Sequence, residues 1–216
     1  MSAFGAIEID PGRVPFQALV SSANKCIEGV PGFGFVLARP AALESARGNA
    51  QSLSLDLVAQ WDYMEKSGQW RFTPPTHAVA AFLTALDLPE AEGGVAGRGA
   101  GYGANRDALV DEMRALGFET LLEARWLGPI IVTFVNPADP AFDFTRFYDA
   151  MKARGFIIYP GKLTKVDSFR LGCIGHLDAA VMRQAARAAG EALAEMGVKS
   201  AAPPPEALDE RMKLTA

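Results

Sequence analysis

Cysteine and histidine, the residues that build most zinc centres and disulfide frameworks, are scarce in this sequence. Its 216 residues include 2 cysteines and 2 histidines. Cys26 and Cys173 lie far apart, and neither has a second ligand at the short spacing of zinc motifs. The composition therefore argues against a metal site, and we expect both cysteines to be reduced thiols that are buried or lie near a functional site.

The sequence also lacks long apolar runs and basic stretches. No apolar run reaches the ~20 residues that a membrane-spanning helix needs, and the start has no basic region followed by an apolar one. Lys and Arg total 21 against 25 Asp and Glu, whereas a nucleic-acid surface needs a basic excess. We therefore expect no membrane, no nucleic acid, a cytoplasmic location and a small-molecule substrate.

Half of the residues are hydrophobic, which is enough for a substantial core. Short apolar runs at 18–22 and 34–38 predict two strands, with Lys25 in the turn between them. The apolar spacing after residue 76 predicts a helix with Thr76 as its N-cap, closed by Pro89 and the following glycines. A second helix is predicted over residues 95–116.

Beyond residue 117, short strands alternate with amphipathic helices, which predicts a separate α+β unit. The predicted strands lie at 118–122, 129–135, 156–159 and 168–173, and the predicted helices at 144–153 and 177–196. Residues 203–205 are three consecutive prolines, which cannot continue a helix, so we expect residues 199–216 to form a disordered tail.

Two residues have chemistry that their positions make interesting. Lys25 follows an apolar strand beside Ser22 and Asn24, and an imine-forming lysine must be desolvated enough to lose its proton; the alternative is a surface lysine in a polar turn. Arg170 lies between Phe169 and Leu171, where an unpaired cation would be costly, so its partner is either a structural carboxylate or an anionic substrate. The glycine run at 29–34 matches no phosphate-loop pattern and predicts a tight turn with a close backbone approach.

Several segments carry a resemblance to one enzyme family. The run SSANKCIEGVPGFGFV (residues 21–36) resembles the cofactor-lysine region of 2-aminoethylphosphonate:pyruvate aminotransferases, in the class V branch of fold-type I pyridoxal-phosphate (PLP) enzymes. The resemblance covers roughly residues 1–196 and includes SLSLD (52–56), WRFT (70–73), EGGV (92–95), MRALGF (113–118), GFIIYPGK (155–162) and FRLGCIG (169–175).

The resemblance implies a role for four residues. Lys25 would bind PLP as a Schiff base and shuttle the substrate proton, and Asn24 would contact the cofactor phosphate. Thr73 would reach the cofactor phosphate of a neighbouring subunit, which implies a homodimer. Arg170 would bind the anionic end of the substrate, and this favours a substrate-binding role for Arg170 over a structural salt bridge. The implied reaction is amino transfer from 2-aminoethylphosphonate to pyruvate, which yields phosphonoacetaldehyde and alanine.

The resemblance also implies an α/β fold that is the C-terminal part of a fold-type I enzyme. Residues 1–94 would be the end of the PLP-binding large domain, with a remnant of its mixed sheet, and residues 95–198 the small α+β domain. In the family an aspartate that pairs with the pyridine nitrogen lies two residues before the Met-Ser pair with which this sequence begins. The glycine-rich phosphate loop and the aromatic residue that stacks on the cofactor lie further upstream.

We therefore expect the 216 residues to correspond to a truncated enzyme with an exposed sheet edge and weak or no activity by itself. Two alternatives remain. The first is another class V aminotransferase that acts on alanine, serine or glyoxylate, and the second is a non-catalytic fragment.

Overall fold

The chain forms two compact units, Met1–Ala96 and Gly97–Ala216. The computed structural model describes residues 1–161 and 165–215, so that Lys162, at the end of one resembling segment, lies outside the described residues. The sequence predicted a domain boundary between residues 94 and 95. None of the helices in these described stretches is long and apolar enough to cross a bilayer.

The first unit is built on a two-stranded antiparallel ribbon, β1 (Ala18–Ser22) and β2 (Gly34–Ala38). Both predicted strands are confirmed. The helices that follow the ribbon in this unit are α1 (Pro40–Ser45), α2 (Leu57–Ser67) and α3 (Thr76–Ala91).

Both faces of the ribbon carry apolar side chains, a pattern that is typical of strands covered on both sides of a sheet. On one face Leu19 is 7% exposed, and the Phe35 ring lies 5.5 Å from the Phe82 ring of α3. On the other face Val20, which pairs with Val36, is 57% exposed. One apolar face of the ribbon is therefore open to solvent in this chain.

The start of α3 differs from the prediction. Thr76 is not the N-cap but the first helical residue, and Pro75 occupies the cap position without a side-chain hydrogen bond. Proline has no polar side-chain atom to accept a hydrogen bond from the first turn, so the helix begins without a polar cap. Pro89 lies inside the last turn rather than ending the helix, which continues to Ala91.

The second unit contains an antiparallel sheet with the strand order β3-β5-β4. Its strands are β3 (Ile131–Val135), β4 (Tyr159–Pro160) and β5 (Ser168–Gly172). The predicted strand at 118–122 is reduced to a single bridge between Thr120 and Phe134.

Helices and the inner face of this sheet enclose the core of the second unit. Four phenylalanine rings form its centre, each fully buried: Phe118, Phe134, Phe147 and Phe169. The helices are α4 (Gly94–Ala115), α5 (Phe144–Ala153), α6 (Ala179–Met196) and α7 (Pro205–Thr215). Asp178 caps α6 by accepting two backbone hydrogen bonds, and Gly197 ends it in the left-handed conformation.

Residues 205–215 were predicted to belong to a disordered tail, whereas the structure has α7 there. A proline cannot continue a helix but suits its first turn, and Pro205 is the first residue of α7. Ala207 is fully buried beside Leu121 and Val135. The Arg211 guanidinium lies 3.2 Å from the Glu119 carboxylate, so an ion pair adds to this apolar contact.

The Asp139 carboxylate binds backbone N–H groups in the segment that precedes α7. The side chain of Asp139 accepts hydrogen bonds from the backbone N–H groups of Ala141 (2.9 Å), Lys199 (2.8 Å) and Ser200 (3.3 Å). These donors, with Ala141 the largest contributor, hold the pKa of Asp139 below its ordinary value because they stabilise the charged form.

Candidate functional site

Lys25 lies in a turn whose backbone is fixed by hydrogen bonds. The Gly29 N–H donates to the Ala23 carbonyl oxygen at 2.9 Å, and the Glu28 N–H donates to the Lys25 carbonyl oxygen at 2.8 Å. Ala23 and Cys26, on either side of the lysine, are fully buried. The turn therefore holds the Cα atom of Lys25 in a defined position at the end of β1.

The side chain of Lys25 is half-buried, as are those of Ser22 and Asn24 beside it. Among the residues that the structure describes, no hydrogen bond or ion pair engages the Lys25 amine. The turn therefore fixes the backbone of Lys25, and the described residues offer its amine no hydrogen-bond partner.

Glycines allow the loop after Lys25 to lie close to its neighbours. A Cβ atom on Gly29 would stand 2.8 Å from the Ala23 carbonyl oxygen, and one on Gly32 would stand 2.6 Å from the Cβ atom of Ala78 in α3. The predicted tight turn with a close approach is therefore confirmed. Glu28 has a left-handed backbone, φ 64°, which the sequence did not indicate.

Thr73 is exposed in the segment between α2 and α3. Residues 68–74, which include Thr73, line an open cavity of about 730 Å³. Within the described part of the first unit, no hydrogen bond joins Thr73 to Asn24 or Lys25. Thr73 therefore lies at an exposed position, without a hydrogen bond to the Lys25 turn in the described residues.

Arg170 is half-buried at the middle of β5, on the sheet face opposite the phenylalanine core. Its Nε–H donates to the Pro160 carbonyl oxygen at 3.0 Å, and its guanidinium carbon lies 5.9 Å from the centre of the Tyr159 ring. No carboxylate in the described parts of the chain pairs with it. The structural salt bridge that the sequence left open is therefore not observed among the described residues, and none of them hydrogen-bonds to either Nη atom.

These residues divide between the two units. Lys25, Asn24 and Thr73 belong to the first unit, and Arg170 belongs to the second. Tyr159 and Pro160, which contact Arg170, were not singled out from the sequence as site residues. They lie in one of the segments that carry the family resemblance, but their pairing with Arg170 depends on strand register, which local sequence does not reveal.

Cys173 does not have the surroundings of a nucleophile. Cys26 and Cys173 are buried, as predicted, and they form no disulfide in the described residues. Burial raises the pKa of the Cys173 thiol to about 12, so the thiol stays protonated near neutral pH. In the described residues, no cluster of His, Cys, Asp and Glu could hold a metal ion.

The chain is similar in sequence to curated aminotransferases. It is 65% identical over 216 residues to the 2-aminoethylphosphonate–pyruvate transaminase of Rhizobium meliloti, covering 100% of this chain and 56% of that protein. Its identity to a 2-aminoethylphosphonate–pyruvate transaminase of Paraburkholderia xenovorans is 61% over 214 residues, covering 99% of this chain and 55% of that protein. The chain thus spans about half the length of the relatives it matches. No family model matches it.

Solved structures support the same relationship at the level of fold. Pyridoxamine-pyruvate aminotransferase from Mesorhizobium loti superposes with a TM-score of 0.80 at 20% identity, covering 98% of this chain and 55% of that one. Phosphoserine aminotransferase from Trichomonas vaginalis with PLP bound has a TM-score of 0.67 at 19% identity, covering 89% of this chain and 52% of that one. Sequence and fold together relate this chain to the C-terminal part of the 2-aminoethylphosphonate–pyruvate transaminases, among the fold-type I aminotransferases.

Proposed function

We propose that this chain supplies the cofactor lysine and the anion-binding arginine of an enzyme that transfers the amino group of 2-aminoethylphosphonate to pyruvate. The products would be phosphonoacetaldehyde and alanine. The observation that carries the proposal is an unpartnered, half-buried Lys25 amine in a fixed turn, within a chain 65% identical to a transaminase of that name.

The cofactor of the proposed enzyme is PLP, and the residues of the first unit suit it. An aldehyde cofactor needs a free amine, and the Lys25 amine has no partner in the described part of the chain. Asn24, adjacent to it, and Thr73, open to a neighbouring subunit, offer polar groups for a phosphate. When bound, PLP withdraws electrons from the carbon that carries the substrate amine and so acidifies its C–H bond.

The remaining tasks fall to side chains of this chain. The Lys25 Nζ atom would take the proton from the amine-bearing carbon of the substrate, because a lysine freed from the cofactor is a base tethered at that carbon. The two Nη atoms of Arg170 would bind two oxygens of the donor phosphonate or of the pyruvate carboxylate. One arginine suits both substrates because each presents negative oxygens with similar spacing.

We further propose that the enzyme works as a homodimer in the cytoplasm. The exposure of Thr73, and its lack of a hydrogen bond to the Lys25 turn in the described residues, fit a residue that reaches the cofactor of a second subunit. Two buried cysteines that form no disulfide in the described residues fit a reducing compartment. Light scattering coupled to size exclusion, with and without PLP, tests the dimer.

The cofactor site is tested by trapping PLP on the purified 216-residue chain. Borohydride reduction followed by peptide mapping should place the label on Lys25, and Lys25→Ala should lose both the label and the visible absorbance band. Lys152→Ala, which removes an exposed lysine from α5, is the matched control and should keep both. A label spread over surface lysines, undiminished in Lys25→Ala, would contradict the proposal.

The substrates are tested by amino-donor and acceptor assays. The chain alone is expected to turn over slowly, since its match covers 56% of the R. meliloti relative. Adding the unmatched part of that relative as a second polypeptide should therefore raise turnover. A preference for 2-aminoethylphosphonate with pyruvate supports the proposal, whereas a preference for alanine or serine with glyoxylate would assign the chain to another class V activity.

A further inference from the structure

The contacts of Arg170 indicate what orients its guanidinium group. Arg170 lies on the central strand of the β3-β5-β4 sheet, and Tyr159 of the edge strand β4 stands directly opposite it in the register. Cross-strand partners share a face of the sheet, so the tyrosine ring and the arginine leave the backbone on the same side. The guanidinium carbon is 5.9 Å from the centre of that ring, within the range of a cation–π contact.

A second contact fixes the rotation of the guanidinium. Its Nε–H donates to the carbonyl oxygen of Pro160, the residue after Tyr159, at 3.0 Å. The Nε edge is therefore occupied, and the edge formed by the two Nη atoms is the one left for two oxygens of an anion. In the described residues no carboxylate competes for it.

We propose that Tyr159 is a positioning residue: its ring and the adjacent Pro160 carbonyl hold the Arg170 guanidinium so that its Nη edge faces a carboxylate or phosphonate. The inference rests on the proposed function, whose anion-binding residue is Arg170. A long arginine side chain loses rotamer freedom when it binds. A side chain already held in its bound orientation loses less, and its affinity for the anion is higher.

The test measures anion binding at Arg170 directly. The 216-residue chain is labelled with ¹⁵N-arginine, the Arg170 Nε–H signal is assigned by its loss in Arg170→Lys, and methylphosphonate and pyruvate are titrated. Tyr159→Leu keeps apolar bulk but removes the ring, and should weaken both anions about 2- to 5-fold, the value of an exposed cation–π contact. Tyr159→Phe keeps the ring and should bind within about 2-fold of the unmodified chain.

A matched control comes from a similar pair elsewhere in the same unit. The Arg125 guanidinium lies 5.3 Å from the ring of Trp126, which is 56% exposed. Trp126→Leu removes an aromatic–arginine contact remote in sequence from Arg170 and should leave anion binding unchanged.

Three results would overturn the inference: Tyr159→Leu binding as tightly as the unmodified chain, Tyr159→Phe weakened as much as Tyr159→Leu, or an Arg170 signal that responds to neither anion. The proposed function is scored separately by the PLP label on Lys25. If PLP labels Lys25 but anion binding does not depend on Tyr159, the inference about Tyr159 is wrong and the proposed function stands. If anion binding depends on Tyr159 but PLP does not label Lys25, the cofactor assignment is wrong and the inference about Tyr159 stands.

Discussion

Replacing Gly29 with alanine should loosen the turn that holds Lys25. The added Cβ atom would stand 2.8 Å from the Ala23 carbonyl oxygen and 3.2 Å from the Phe82 ring. The first distance is shorter than folded proteins tolerate, and its target is backbone that cannot swing aside. The same carbonyl accepts the Gly29 N–H bond at 2.9 Å, so relieving the clash stretches the hydrogen bond that closes the turn.

The expected loss follows from two opposing contributions. Overpacking a close contact costs about 1–3 kcal/mol. Because the backbone of Gly29 does not have a positive φ, alanine is conformationally acceptable there, and the lower entropy of the unfolded chain returns about 0.4–1 kcal/mol. The net change is a loss of up to about 2.6 kcal/mol, and about 1.3 kcal/mol at the middle of both ranges, in the free energy of unfolding of the first unit.

Hydrogen exchange and urea unfolding measure this change. In Gly29→Ala, the amides of Glu28 and Gly29 should exchange faster, and PLP should label Lys25 more slowly. Gly103→Ala is the matched control: it lies within α4, no atom lies within 4 Å of its added Cβ, and alanine is the better helix former by up to about 1 kcal/mol. If Gly29→Ala is as stable as the unmodified chain and its turn amides stay protected, the account of a sterically closed turn is wrong.

Three further changes test the second unit. Asn105 is buried and its amide donates to the carbonyl oxygens of Cys173 at 3.2 Å and Leu177 at 3.0 Å; Asn105→Leu leaves both without this donor and should lower the free energy of unfolding by about 1–3 kcal/mol in urea titrations. Because the pKa of Asp139 is lowered in the folded chain, its stabilising contribution is complete above the unfolded-state pKa of about 3.9 and is lost as pH falls through the folded-state value. Melting temperatures measured from pH 7 downward should show this acid-side loss in the unmodified chain and a smaller one in Asp139→Asn; equal losses would contradict the assignment. Ala207→Asp places a charge at a fully buried position and should release α7 to rapid proteolysis, whereas Glu206→Gln, at an exposed position on the same helix, should not.

Local signals predicted much of the first unit. The ribbon follows from two apolar runs separated by a glycine-rich connection, and the placement of Lys25 between them follows from those limits alone. The helix at residue 76 was also predicted, but its cap was not, because Pro75, which has no polar side chain, occupies the cap position that Thr76 was expected to fill. The left-handed Glu28 could not be foreseen, since glutamate carries no preference for that conformation.

In the second unit, some elements follow from local sequence and others depend on tertiary contacts. The strand containing Arg170 and the helix at 144–153 were predicted from periodicity, and both form. The strand expected at 118–122 is only a bridge at Thr120. The tail expected to be disordered includes a helix, because Ala207 finds an apolar site beside Leu121 and Val135 that lies more than 70 residues away in sequence.

The sequence by itself determined the resemblance to one aminotransferase family and predicted roles for Lys25 and Arg170, because these depend on residue identity and on the short-range order of apolar and turn residues. Only the tertiary structure decided what surrounds them. The closed turn that holds Lys25 depends on contacts between the glycine loop and α3, and the contact between Arg170 and Tyr159 depends on the register that places them opposite each other. Such contacts join residues that are apart in the chain, and packing, not local preference, selects them.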